Sequence, residues 1–195
     1  MRFLKKIQYN SPVVLTFAGV SLIALILGYV TGGAVNTLLF SVYRSSPLNP
    51  LTYVRLFCHV LGHANYQHYI GNMLMILVIG PVLEEKYGSR SLLRAILITA
   101  VVSGLVQIIF FPSTAILGAS GIVFMMIVLS SLAGAQEGRI PLTLILVVIF
   151  YIGGEVINGV FQQDNISQMA HIIGGLCGAV IGFILEKGRR RRPAI

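Results

Sequence analysis

The sequence predicts an all-α protein that crosses a membrane six times, and two observations support this fold class. Apolar residues make up 56% of the chain, charged residues only 10%, and the mean hydropathy is +0.87, which a soluble surface does not tolerate. The apolar residues also gather in six runs, each about as long as a helix that crosses the hydrocarbon core. We therefore expect one membrane domain over residues 1–195, with short basic ends and no extra soluble domain.

The six expected spans are separated by turn-forming residues such as Asn49-Pro50, Gly88-Ser89 and Pro112-Ser113. In chain order, the spans lie at residues 13–32, 67–84, 92–111, 118–135, 141–161 and 169–185. The run after MRFLKK is long and lacks a clear cleavage site, so we interpret it as an uncleaved first helix rather than a signal peptide.

Positive charges predict the orientation of the spans. If the N-terminus is cytoplasmic, only Arg44 and Arg55 face outward, and the other basic residues face inward. The positive-inside rule then predicts that both termini are cytoplasmic, and we expect a bacterial cytoplasmic membrane. The net charge of +8 is explained by topology and by contact with membrane lipids. No basic patch with interleaved aromatic residues suggests nucleic-acid binding.

In this topology the second, fourth and sixth spans all begin at the outer face, and each begins with polar residues. His63, His68 and Asn72 lie at the start of the second span, Ser120 at the start of the fourth and His171 at the start of the sixth. Polar side chains are costly inside a membrane and tend to face the interior of a bundle or a watery cavity. These five are therefore expected to meet at one depth.

Acyl transfer is the chemistry that such a set suggests. A serine at a helix N-terminus has free backbone N–H groups that can stabilise an oxyanion, and a histidine can take its proton near neutral pH. Most acidic residues fall on the inner side, which leaves only Glu155 and Asp164 outside. A Ser–His dyad is therefore favoured over a triad with an acidic third member.

Three motifs together resemble the rhomboid family of intramembrane serine proteases. They are HANYQHYIGN from His63, GASG around Ser120, and AHIIGGLCG around His171, and the resemblance extends from about Arg55 to Phe183. It implies a six-helix rhomboid bundle that cleaves single-pass membrane proteins near the outer boundary, at small residues. Transmembrane proteins would be its substrates, and neither a cofactor nor a metal is expected.

The resemblance also implies roles for individual residues. Ser120 would be the nucleophile and His171 the general base, while His68 and Asn72 would donate to the oxyanion beside the backbone N–H of Ser120, in the turn that Gly118 opens.

Further residues would have structural roles. His63 would hydrogen-bond within the first loop, and Glu84 would be a structural acid at the inner end of the second span. Arg55 matches the arginine of the family's Trp-Arg pair, although Val54 precedes it. Phe124 stands where many bacterial members have a tyrosine that packs on the catalytic histidine.

Several residues also allow a different interpretation. A Gly-x-Ser-Gly sequence is more often a packing surface than a nucleophile, and only its pairing with His171 reverses that preference. His59 and His63 are spaced to share a metal, but no further ligand motif accompanies them. Gly174 and Gly178, with Gly182, form a stripe that favours close helix packing.

Two other functions stay open. Glu155 is either a functional carboxylate or a neutral group near Asn158, and with the histidines it would suit a small transporter. A rhomboid-like protein that binds membrane clients without cleaving them is the other alternative. Cys58 and Cys177 are interpreted as free thiols.

Overall fold

The computed structural model describes residues 8–133, 139–150 and 165–190, and the regular elements in these ranges are helices. In chain order they are α1 (Pro12–Val30), α2 (Pro50–Cys58), α3 (Tyr66–Tyr87), α4 (Ser89–Phe110), α5 (Ser120–Leu132), α6 (142–150) and α7 (Asn165–Arg190). The predicted all-helical class is therefore confirmed.

Four helices within the described residues are long and apolar enough to cross a membrane. They are α1, α3, α4 and the part of α7 at Met169–Gly188, whereas α5 is apolar but has only 13 residues. The second half of the predicted fifth span lies outside the described residues, together with Glu155 and Asn158. The chain is an integral membrane protein, and these ranges account for four of the six expected spans.

The segment between α1 and α3 contains structure that the search for long apolar runs did not predict. It holds a π-helical turn at Asn36–Phe40, the nine-residue helix α2, and a 3-10 turn at His59–Leu61. Asn49-Pro50, which the sequence predicts only as part of a turn between spans, begins α2. The Asn49 side chain accepts a hydrogen bond from the Leu51 N–H at 3.0 Å, and Pro50 occupies the first helical position.

Glu84 caps a helix to which it does not belong. Its carboxylate, buried near the end of α3, accepts hydrogen bonds from the N–H groups of Val13 and Val14 at 3.0 and 3.1 Å. These are among the first N–H groups of α1, which have no partner within their own helix. A carboxylate also suits the positive end of a helix dipole, so Glu84 fixes the start of α1 against the end of α3.

The closest helix packing joins α5 and α7. A β-carbon added to Gly174 would overlap the carbonyl oxygen of Gly121, and one added to Gly178 would overlap that of Met125. On Gly182 it would lie 2.6 Å from a methyl group of Leu132. Small residues allow two backbones to approach this closely. We call the set Gly121, Gly174 and Gly178 the glycine contact.

At the far end of the bundle from Ser120, a small polar cluster joins α3 to α7. Glu186 accepts a hydrogen bond from the Tyr87 hydroxyl at 2.7 Å and forms an ion pair with Lys86 at 2.8 Å. The core between these two ends is mainly apolar, with Ile76, Leu83 and Met125 fully buried. Helix ends are thus tied by polar groups, while the middle of the bundle is held by packing.

Candidate active site

Ser120 is the first residue of α5, and the turn before it is held by backbone hydrogen bonds. Val42 and Ile116 exchange two such bonds, at 2.9 and 3.1 Å, and the Gly118 N–H donates to the His59 carbonyl at 2.9 Å. The segment that presents Ser120 is therefore fixed against the chain between α1 and α3.

Gly118 provides the close approach that this turn requires. Its φ of +132° lies in a region that other residues rarely adopt. A β-carbon here would lie 2.7 Å from Cε1 and 2.8 Å from Nε2 of His68. The imidazole of His68 thus packs on the turn that leads into Ser120, and glycine is the residue that allows this contact.

Asn72 lies one turn after His68 on α3. Its side chain is buried, and its amide nitrogen donates to the His68 carbonyl at 3.1 Å. An amide nitrogen carries two N–H groups, so this bond uses one and leaves the second for another acceptor. The bond also fixes the side chain on the same face as His68.

His171 lies on α7 and packs against α5. Its ring stacks on Phe124, with 4.2 Å between ring centroids and 7° between planes. A β-carbon added to Gly121 would lie 3.3 Å from the Ala170 carbonyl oxygen. The residue after Ser120 and the residue before His171 therefore touch, so both side chains start from neighbouring turns of two contacting helices.

Two cavities adjoin these residues, and they differ in character. One of about 310 Å³ is lined by Ser120, Gly118 and Ala170 together with the polar side chains of His59 and Ser103. It reaches the surface at the exposed Ala64 and Ala115.

His171 lines the second cavity, of about 150 Å³, which lies between α5, α6 and α7 and is apolar apart from the imidazole. The Ser120 hydroxyl therefore adjoins a polar, open space, whereas the imidazole lies against an apolar one.

His59 and His63 are held by hydrogen bonds within the segment between α1 and α3. Nδ1 of His59 donates to the Arg55 carbonyl and Nδ1 of His63 to the Leu61 carbonyl, each at 3.1 Å. Burial lowers the pKa of both imidazoles to about 4, so both are neutral at pH 7. The His63 ring also packs edge-on against His68 at 5.0 Å.

Sequence reasoning missed the contribution of His59, Ser103 and Gln107. We considered His59 only as a metal ligand, but its carbonyl holds Gly118 and its Nε2 lies 3.4 Å from the Ser103 hydroxyl. Gln107 donates to Thr114 in the turn after α4, at 2.9 and 3.1 Å. The available signal was three polar residues spaced by four, Thr99, Ser103 and Gln107, in the apolar second half of α4.

Arg55 lies away from Ser120 and anchors the segment between α1 and α3. Only 4% of the residue is exposed; its guanidinium donates to the Leu38 carbonyl at 3.0 Å and to the Ser45 hydroxyl at 3.2 Å. It also lies over the Tyr43 ring, 4.4 Å from the centroid. Val54, by contrast, is 39% exposed. Tyr43, rather than the residue before the arginine, therefore supplies an aromatic partner here.

Comparison with known proteins gives a consistent result. A family model described as "Rhomboid domain" matches residues 50–188. Rhomboid-related protein 2 of Mus musculus is 30% identical over 156 residues, which are 69% of this chain and 51% of that protein. Rhomboid protease GlpG of Salmonella choleraesuis (strain SC-B67) is 25% identical over 176 residues, which are 88% of this chain and 63% of that protein.

A plant protein, Rhomboid-like protein 11, chloroplastic, of Arabidopsis thaliana, is 28% identical over 140 residues, or 64% of this chain and 50% of that protein. The chain thus spans between half and two thirds of the length of these relatives. They come from a bacterium, a plant and a mouse, so similarity alone does not select the bacterial membrane expected from the sequence, which stays a prediction.

Proposed function

Because the chain belongs to the rhomboid family, we propose that it is an intramembrane serine endopeptidase that uses a Ser120–His171 dyad. The observation that carries this proposal is the contact between Gly121 and Ala170. Because Ser120 precedes Gly121 and His171 follows Ala170, the dyad residues lie on neighbouring turns of touching helices. In this proposal α5 and the predicted fifth span complete six spans in one domain, with both termini cytoplasmic, as the distribution of basic residues favours.

In the proposed reaction the Ser120 hydroxyl attacks the scissile carbonyl while His171 takes its proton. The imidazolium then gives that proton to the leaving amine, and the acyl-enzyme is hydrolysed by water. Water would arrive through the polar cavity beside Ser120, which the exposed Ala64 and Ala115 open to the surface. Stacking on Phe124 would hold the imidazole in one orientation, which lowers the entropy lost in the transition state.

The proposed oxyanion hole has three donors near the turn at Gly118. The backbone N–H of Ser120 is at the start of a helix and has no partner in the first turn. The His68 ring packs against Gly118, and the second amide N–H of Asn72 remains available beside it. Donors fixed in advance stabilise the developing charge without reorganisation during the reaction.

Substrates in this proposal are transmembrane proteins whose helices unwind near the outer boundary. A helical peptide bond is hydrogen-bonded within its own segment, and in lipid it has no other partner, so it resists attack until the helix opens. Small residues at the cut would fit a cleft lined by Gly118 and Ala170.

The proposal is tested by activity-based labelling of the purified protein. We expect a fluorophosphonate to label Ser120 covalently, and both labelling and cleavage of a transmembrane substrate in detergent to be lost in Ser120→Ala. His171→Ala should also abolish cleavage. Ser130→Ala, on the same helix, is the matched control and should retain both.

Cleavage that survives Ser120→Ala would refute the serine mechanism. A folded protein that binds substrate without labelling or cleavage would instead favour the non-catalytic client-binding alternative.

A further inference from the structure

A second groove of about 430 Å³ lies outside the site of Ser120, between α1, the end of α2 and α4. Its walls are almost wholly apolar, with Val13 and Val20 from α1, Phe57 and Leu61 from the segment between α1 and α3, and Leu93 and Leu97 from α4. Its volume falls in the range of small-molecule sites, roughly 300–1,000 Å³. Apolar walls of this kind, in a membrane, suit an alkyl chain.

Two arginines lie beside one end of the groove, outside its lining. Pro12 and Ser89 line this end, where α1 and α4 begin, and Arg90 and Arg94 follow in the first two turns of α4. Both arginines are exposed, and neither forms an ion pair within the described part of the chain. Arg90 precedes Leu97 by seven residues, or two helical turns, so the two residues lie on nearly the same face of α4.

We propose that this groove is a binding site for one anionic glycerophospholipid. An acyl chain lies between Val20 and Leu97, and the phosphate contacts Arg90 and Arg94. Lipid at a convex helix surface exchanges freely, whereas a concave apolar groove beside two cations holds both ends of one molecule. Basic pockets between membrane helices are known to suit anionic head groups, and planar guanidinium groups bind phosphate in a bidentate way.

The groove also adjoins the segment between α1 and α3, which positions Ser120. Val60 lines both this groove and the cavity beside Ser120, and the neighbouring His59 carbonyl holds the Gly118 N–H. A bound chain therefore supports the turn at His59–Leu61 from the side opposite the cavity. Any effect on cleavage rests on the function proposed above, whereas lipid binding does not, so the test measures binding.

The chain contains no tryptophan, which makes a single-tryptophan experiment possible. Leu97→Trp puts the probe on the groove wall, and Ile98→Trp puts it on the next residue, which is 50% exposed and outside the groove. Each variant is reconstituted in phosphatidylcholine vesicles that contain increasing fractions of phosphatidylglycerol with brominated acyl chains. Bromine quenches tryptophan fluorescence on contact.

We expect quenching at position 97 to saturate at a low fraction of the brominated anionic lipid, and quenching at position 98 to rise in proportion to bulk lipid. Arg90→Gln with Arg94→Gln should raise the half-quenching fraction at position 97 by roughly 25-fold, since each cation near a surface contributes roughly fivefold in affinity. Lys187→Gln removes an exposed charge elsewhere and should leave the curve unchanged.

Equal quenching at positions 97 and 98 would overturn the site, because the groove would then hold only bulk lipid. Saturation that is insensitive to the two arginines, or that brominated phosphatidylcholine reproduces, would overturn the anionic head group. Because no outcome depends on cleavage, failure of this site is distinguishable from failure of the proposed protease activity.

Discussion

Two parts of the molecule hold Ser120 in place, one through close backbone packing and the other through polar side chains and hydrogen bonds. On one side, the glycine contact sets α7 against α5 through backbone atoms alone. On the other, the segment between α1 and α3 is tied by polar groups, through the Arg55 guanidinium and the bond from Gly118 to the His59 carbonyl. The first depends on missing side-chain atoms, and the second on particular donors and acceptors.

This difference predicts how each side responds to substitution. Extra atoms at the glycine contact meet backbone, which cannot rotate away, so even one methyl group separates the helices that carry Ser120 and His171. Removal of one polar tie costs a single hydrogen bond and the desolvation of its partner, while the neighbouring ties remain. Substitutions in the glycine contact should therefore have the larger effect, and the predictions below test that order.

The largest expected effect is that of Gly174→Ala. The added β-carbon overlaps the Gly121 carbonyl, so α7 must move away from α5, and we expect cleavage to be lost and the midpoint of thermal unfolding in detergent to fall. Gly175→Ala is the matched control, because its β-carbon would lie 3.7 Å from a Val128 methyl group in ordinary contact. That variant should be stable and active. Equal behaviour of the two would show that close approach at Gly174 is not what aligns the helices.

Asn72→Ala is expected to affect turnover rather than the fold. If its free N–H donates to the oxyanion, kcat should fall about 10²–10³-fold, or roughly 3–4 kcal/mol, with little change in KM and with labelling of Ser120 retained. Gln67→Ala, an exposed change on the first turn of the same helix, is the control and should leave kcat unchanged. A full kcat in Asn72→Ala would mean that its bond to the His68 carbonyl is the whole of its role.

The sequence predicts those helices that leave a long apolar run and misses the short helix α2. The starts of α1, α3 and α4 lie within three residues of the expected starts at 13, 67 and 92, because long apolar runs reflect the thickness of a bilayer. The helix α2 was missed, since nine residues with a mixed pattern carry no such signal. Asn49-Pro50 was the available clue, as a capping residue followed by proline begins a helix as well as a turn.

The same limit applies to the site. Its motifs predicted the candidate residues, and the glycine spacing predicted a packing stripe. However, contacts such as Tyr43 with Arg55, or Glu84 with the start of α1, join residues far apart in sequence with no shared local pattern. Such contacts depend on which distant segments the fold brings together. The periodicity of a single sequence reports only local structure, so it does not predict them.

Glu84→Gln should destabilise the fold by about 1–3 kcal/mol. A carboxylate accepts from both Val13 and Val14, whereas an amide offers one oxygen and turns an NH2 group toward the other N–H. Glu85→Gln changes the same charge one residue further along, on an exposed side chain, and should remain within about 0.5 kcal/mol of wild type. The check is thermal unfolding in detergent. A shift of equal size in both variants would assign the effect to net charge rather than to the cap.

The smallest effect is expected at Phe124, which lies between α5 and α7 on the packed side of the site. Its ring stacks on His171, and such a pair is worth about 0.5–1.5 kcal/mol beyond simple burial, so Phe124→Leu should lower kcat by roughly 2–10-fold through a less ordered imidazole. Phe124→Tyr keeps an aromatic ring and should retain the wild-type rate. Ile127→Leu, on the same cavity wall, conserves volume and is the packing control. If Phe124→Leu and Ile127→Leu lowered kcat equally, stacking would have no specific role, and α5 would orient His171 only through the glycine contact.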